Sequence, residues 1–435
     1  AASLANAQLT HVDLNQANLA SANLSGATLT NIEAEGAIFT AANLSFMRVN
    51  AEVTIIKDAS EFDFEAEDLG LSPDDFKPGR CSLSAADFSN ATMNRTEFEQ
   101  VLLENGRFAG ADLRQASFEG CALSRNDFSE ALLTESRFEE CELQSCRFDQ
   151  SVGNNTEFTN TDLSGSEFRD AELQGVQFQG VDLSDVNSLT RKLPGCRFEE
   201  CKLAGMDLSE GHLVGTSFRN SNLVDVSFRQ ADLKDSSFQG SNLTGADLSG
   251  CALTETAFSQ CTLDRSLIND SELRGNSFRG CSFREVDFSG IDLSEADFAG
   301  ARLESARFAR CNLRDADFSG AVLRNADFTG AQLGGTSFAE ADLSEAIFAE
   351  ASLDFCDLDG CTLQGIDLRH ATFQRTDFEG VDFTQTRLGG NKFVVCNMKR
   401  VCLEGLDLSN FVFTDSDLEC ANLKNARLDG AECTQ

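Results

Sequence analysis

The amino-acid sequence predicts an all-β solenoid, a chain wound into four-sided coils whose short parallel strands stack one coil on the next. Three observations carry that expectation. From Asp287 to Gly330 the sequence repeats every five residues. A small residue (Ala296, Ala301, Ala306, Cys311, Ala316) is followed two places later by a large one (Phe298, Leu303, Phe308, Leu313, Phe318), with polar residues between. The large residues alternate Phe and Leu, so a ten-residue period rides on the five-residue one. The chain also holds 36 Phe but no Trp and no Tyr, as a dry interior without room for polar ring atoms would select.

The coil follows from the period. Five steps of about 100° scatter the large residues around a helix, and in a strand an odd period sends every second one outward. All of them face inward only if the chain turns a corner every five residues. Each unit is then one side of a coil, and stacked coils enclose a continuous core. The alternation sets the number of sides. Three sides would put every Leu on a Phe, whereas four sides, 20 residues per coil, place Leu303 under Leu323 and Phe298 under Phe318.

Units such as Ala246-Asp247-Leu248-Ser249-Gly250 and Ala316-Asp317-Phe318-Ser319-Gly320 resemble the pentapeptide-repeat family, whose pattern is a small residue, Asp or Asn, Leu or Phe, a polar residue and Gly. The resemblance extends over nearly the whole chain. It implies a right-handed quadrilateral parallel β-helix of about 20 coils, the handedness coming from the family alone.

The coils divide in order. Residues 1–45 form the N-terminal repeats. Residues 46–80 are expected to be an insertion or loop, because Val49 is followed by Val53 after four places and the pattern is lost from Thr54 to Arg80. Residues 81–435 form the main repeat, which keeps its phase throughout. Ser188 fails as a large residue and Arg191 takes a small inward place, so residues 186–195 are expected to bulge outward, since a buried Arg is costly. From about residue 369 the coils are irregular: Phe373, Phe378 and Phe383 break the alternation, and Leu406 and Phe411 replace small residues. The two loops are candidate contact sites. Resemblance to gyrase-binding members of the family implies that excursions aid partner recognition and that C-terminal coils can pair into a homodimer.

Composition bounds the function. The formal net charge is −36, which favours basic partners and disfavours nucleic acid and anionic membranes. No apolar run reaches the ~20 residues of a membrane span. Thirteen of the 16 Cys sit at the small inward place, where Cys acts as a small apolar residue, and Cys141/Cys146, Cys196/Cys201 and Cys356/Cys361 match no zinc spacing. Reduced thiols fit a cytoplasmic, bacterial location, with secretion as an effector the alternative. His11, His212 and His370 are isolated and outward, so no catalysis, cofactor or metal is expected.

The polar residue before each large one separates the faces. In steps of 20, one column reads Asp287, Arg307, Asp327, Ile347, Asp367, Arg387, Asp407, Arg427, alternating in sign as favourable cross-strand pairs do. The next reads Asp297, Asp317, Ser337, Asp357, Asp377, Asn397, Asp417, with no cation in the column. Like charges on adjacent strands cost stability. Asp297, Asp317, Asp357, Asp377 and Asp417 therefore form the candidate binding stripe of a non-enzymatic protein-binding rod with an acidic, repetitive surface. The family resemblance adds a DNA-mimicking role towards gyrase or topoisomerase. The alternative is a structural repeat module of a larger bacterial assembly, such as a secretion system.

Overall fold

The computed structural model describes residues 2–51 and 81–434 and contains no helix among them. The chain resolves into two compact units, Ala1–Lys202 and Leu203–Gln435. Each is a stack of four-sided coils with parallel pairing, and the fold class is the expected right-handed quadrilateral β-helix, its four sides implied by the period and its hand by the family resemblance.

In the first unit, Gln8–Thr10 lies under Thr28–Thr30 and that strand under Arg48–Asn50. The ladder continues through Glu97–Glu99, Ser117–Glu119, Arg137–Glu139, Glu157–Thr159, Gln177–Gln179 and Arg197–Glu199. From Glu97 to Thr159 the register advances by 20 residues per coil, so like residues meet: Phe98 on Phe118, Phe118 on Phe138, Phe138 on Phe158. The Phe residues fall on opposite sides of the coil and build two columns. Within one column neighbouring rings are parallel, as for Phe118 and Phe138 at 4.9 Å and 1°. Between columns the rings meet edge to face, as for Phe148 and Phe158 at 6.0 Å and 87°. Both are preferred aromatic geometries, worth ~0.5–1.5 kcal/mol per pair beyond burial. The second unit repeats the design, with Phe298 stacked on Phe318 at 5.0 Å and 2°.

The coil corners explain the fifth residue. Nearly every one is left-handed, including Gly300 at φ 67° and Gly320 at φ 65°, where Gly is free of Cβ strain. Many corners are not Gly, among them Glu295 at φ 63° and Asp315 at φ 59°. Backbone ladders on both sides hold these corners against their local preference.

Two expectations change in detail. The first coils run on to Ala51 rather than stopping at 45: Met47 and Val49 are buried, and Arg48–Asn50 is a ladder strand. The expected excursion at 54–80 lies outside the described residues. The coil nevertheless resumes at Cys81 in register, since Glu33 bridges Ser82, Ile38 bridges Asp87 and Asn43 bridges Thr92.

The bulge at 186–195 reduces to a one-residue shift. Glu167 bridges Ser188 rather than residue 187, Thr190 takes the buried inward place, and Arg191 is exposed. One extra residue is enough to turn a charge outward, because the side-chain direction alternates along the chain. At the C-terminal end Phe411 is buried, while Leu406 is half-buried.

Candidate acidic binding face

All five residues of the predicted stripe lie in the second unit, on one side of successive coils. Asp297 bridges Asp317, Asp317 bridges Ser337, and Ser337 bridges Asp357; further on, Asp377 bridges Asn397 and Asn397 bridges Asp417. Asp297 and Asp317 are half-buried, and Asp357, Asp377 and Asp417 are exposed.

Each carboxylate has a structural task that the column of letters does not reveal. One oxygen accepts the amide two residues on: Asp297 from Ala299 at 3.0 Å, Asp317 from Ser319 at 2.8 Å, Asp357 from Asp359 at 3.0 Å. Asp377 takes the amide of Glu379 at 2.9 Å, and Asp417 that of Glu419 at 2.9 Å. This Asx bond sets the corner, which is why Asp or Asn recurs in the repeat. It leaves the second oxygen for other work.

The flanking column supplies cations that the stripe itself lacks. Arg279 reaches Asp297 at 2.9 Å, and Lys399 lies 3.3 Å from Asp417 and 2.9 Å from Glu419. The amide of Glu419 works against partial desolvation, and with Lys399 it holds the Asp417 carboxyl below its usual value. Arg400 takes Glu379 at 3.3 Å. The two ends of the stripe are thus compensated, and Asp317, Asp357 and Asp377 have no ion pair among the described residues. The neighbouring column is neutralised as its alternation predicts: Arg307 lies 3.1 Å from Asp287. Asp367 finds a nearer partner than the sequence suggests, since Arg369 grips both its oxygens and holds its carboxyl below the usual value.

Sequence reasoning missed a break in the stack at the centre of this face. Asp357 and Asp377 do not bridge. Among the described residues, the amides of Leu358, Gly360, Leu363, Asp377 and Asp382 donate to no backbone group, and the carbonyls of Cys356, Cys361, Asp377, Glu379 and Asp382 accept no backbone amide. Elsewhere the same places are bonded, as Phe338 is to Asp357 at 2.7 Å. The coils part into a cleft of about 450 Å³ lined by Asp357, Asp359, Asp377, Glu379 and Asp382 at the rim, with Leu358, Leu363 and Val381 below. These three apolar residues occupy inward places but are only half-buried. Two unlike pairs fall together here, Phe378 over Leu358 and Phe383 over Leu363. A single such pair does not part the coils, since Phe373 over Leu353 and Phe383 under Leu403 keep their backbone bonds. The broken alternation at Phe373, Phe378 and Phe383 marks the region in the sequence but not the opening.

No three His, Cys, Asp or Glu side chains converge as a metal site among the described residues. All 16 thiols are free, and burial pushes those of Cys81 and Cys146 up to about 11 and about 12, which makes them inert as nucleophiles. No helix among the described residues is long and apolar enough to cross a membrane.

These geometries define a repeat solenoid, and the sequence comparisons place it. The family described as "Pentapeptide repeat region" matches residues 79–148, 128–193, 191–268 and 266–338. "Pentapeptide repeats (8 copies)" matches 2–40, 17–50, 326–365, 351–390 and 396–432. The chain belongs to the pentapeptide-repeat family.

No curated protein sequence matches it. Solved structures similar to it include QnrB1, described as a plasmid-mediated fluoroquinolone resistance protein, at 20% identity over 46% of this chain and 92% of that one, with a TM-score of 0.21. HetL, from the cyanobacterium Nostoc sp. strain PCC 7120, is 22% identical over 78% of this chain and 89% of its own, with a TM-score of 0.11. Rfr23 from Cyanothece 51142 is 19% identical over 40% and 86%, with a TM-score of 0.12. The family assignment rests on the repeats and not on these superpositions.

Proposed function

We propose that this chain is a non-enzymatic binding scaffold whose second unit presents an acidic face to a basic protein surface. The observation that carries this reading is the set Asp317, Asp357 and Asp377, carboxylates outside any ion pair among the described residues, on a face whose neighbour alternates in sign. Asx bonds fix the corner that carries each of them, so little ordering entropy is lost on binding, and the net charge of −36 draws basic partners in.

Charge density decides how far DNA mimicry extends. Duplex DNA carries one charge per ~1.7 Å of axis. Asp317, Asp357 and Asp377 span four coils with Ser337 among them, so at ~4.8 Å per coil the three unpaired carboxylates provide about one charge per 6 Å. That density suits a basic patch on a protein better than a duplex-binding channel, and gyrase or a topoisomerase is the narrower form of the reading, brought by family resemblance. A supercoiling assay tests the narrower form: neither inhibition nor protection of gyrase at micromolar protein removes it.

The broader form is tested by changing Asp317→Asn, Asp357→Asn and Asp377→Asn together. The carboxamide keeps the Asx bond, as Asn397 does to Lys399 at 3.2 Å. Circular dichroism and Tm should therefore hold while affinity for a basic partner falls about tenfold or more. Unchanged binding reduces the stripe to solvation.

A further inference from the structure

The cleft between Asp357 and Asp377 has the chemistry of a side-chain pocket. Its floor is apolar, from Leu358, Leu363 and Val381. Its rim offers acceptors of two kinds. The first comprises the remaining carboxylate oxygens of Asp357 and Asp377, each of which gives its other oxygen to a corner amide. The second is the open carbonyls of Cys356, Cys361, Asp377, Glu379 and Asp382. At its edge Phe355 is 54% exposed, at a left-handed corner of φ 61°, with the Arg375 guanidinium 5.2 Å from its ring centre.

We propose that this cleft takes an arginine side chain from an extended, basic segment of a partner protein. The aliphatic stem would lie on the leucines, as long cationic side chains do on apolar surface. The planar fork of five donors would meet carboxylates and bare carbonyls together, a match that a lysine ammonium makes less well. Phe355 would flank the neighbouring residue of that segment. This inference rests on the acidic-face reading and narrows it to one pocket.

A second seam argues that an opening alone is not enough. The larger cleft, of about 670 Å³ and lined by Thr254, Thr256, Ser271 and Asn276, carries Arg274 on its rim. That Arg is paired with Glu295 at 2.5 Å. That rim cation is already paired, whereas the first seam keeps Asp357 and Asp377 outside any ion pair among the described residues, although Arg400 takes its Glu379.

The test is a titration of the full chain with a nine-residue peptide bearing three arginines among valines, and with its lysine counterpart, followed by calorimetry and amide exchange. We expect the arginine peptide to bind about tenfold more tightly than the lysine one. It should protect amides at 356–363 and 376–382, and lose about tenfold on Asp377→Asn or Phe355→Ala while Asp317→Asn costs little.

Equal loss at Asp317 and Asp377, or no preference for arginine, overturns the pocket and leaves the acidic face standing. Binding untouched by all three substitutions overturns both. Protection at 254–277 instead assigns the peptide to the other seam and overturns the pocket. A peptide that does not bind at all overturns it too.

Discussion

Three asparagines stand at inward places where the repeat calls for a small residue, and the residue beneath each decides whether the ladder stays closed. Asn126 is 1% exposed and lies over Gly106, whose amide it accepts at 2.5 Å; the ladder there is intact, with Asp127 bonded to Gly106 at 3.1 Å. Asn391 lies over Ala371, and the corresponding bond from Lys392 stretches to 3.4 Å. Asn276 lies over Thr256, and there no such bond forms.

Volume is the controlling variable, because a filled core yields by parting rather than by compressing. A Cβ at position 106 would meet Asn126 Oδ1 at 3.1 Å and the Ala86 carbonyl at 3.3 Å. Gly106→Ala is therefore expected to cost about 1–3 kcal/mol by denaturant unfolding. Asn276→Ala is expected to close the larger seam and slow amide exchange at 272–277. Exchange as fast as in the unaltered chain would show that Asn276 is not the wedge.

At the scale of the coil side, the large residues stack mostly like on like, which makes the coil readable in the sequence. Period, alternation and inward cysteines all follow from five-letter patterns, because each position has one orientation in a solenoid. What escaped was relational. Whether a seam closes depends on what lies 20 places away, as Asn276 over Thr256 shows. The cations on Asp297 and Asp417 likewise come from a flanking column, through side chains long enough to cross it.

One substitution at two places tests this stacking. Phe318→Leu breaks a column in which Phe298 and Phe338 stack on Phe318 at 5.0 and 5.3 Å, and should cost about 2 kcal/mol. Phe383→Leu restores Leu on Leu and should cost distinctly less, with new amide protection at 361–365. Equal costs would mean that the mismatch does not open the cleft.

For the molecule as a whole, a net charge of −36 sets up two opposed responses to pH. Hydrogen bonds from Arg114 and Arg369 hold Asp112 and Asp367 below the usual carboxyl value. Their folded values are depressed, so the stability they contribute is complete above the ordinary value of ~3.9 and is lost as pH falls through it and below. Self-repulsion works the other way and is relieved on acidification. The Tm is expected to rise from pH 7 to about 5 and to fall below about 4. A steady fall from pH 7 would mean that repulsion is negligible.

The central claim is that the unpaired carboxylates of the second unit are a binding surface and not only a solvated one. Its most direct test is the affinity of the arginine peptide for the unaltered chain and for two variants of equal charge, at about 50 and about 300 mM salt. One variant carries Asp317→Asn, Asp357→Asn and Asp377→Asn. The other carries Glu130→Gln, Glu135→Gln and Glu140→Gln on exposed corners of the first unit. The predicted result is a loss of about tenfold in the first variant, little change in the second, and binding by the unaltered chain that weakens steeply with salt. Equal affinities in all three chains would contradict it.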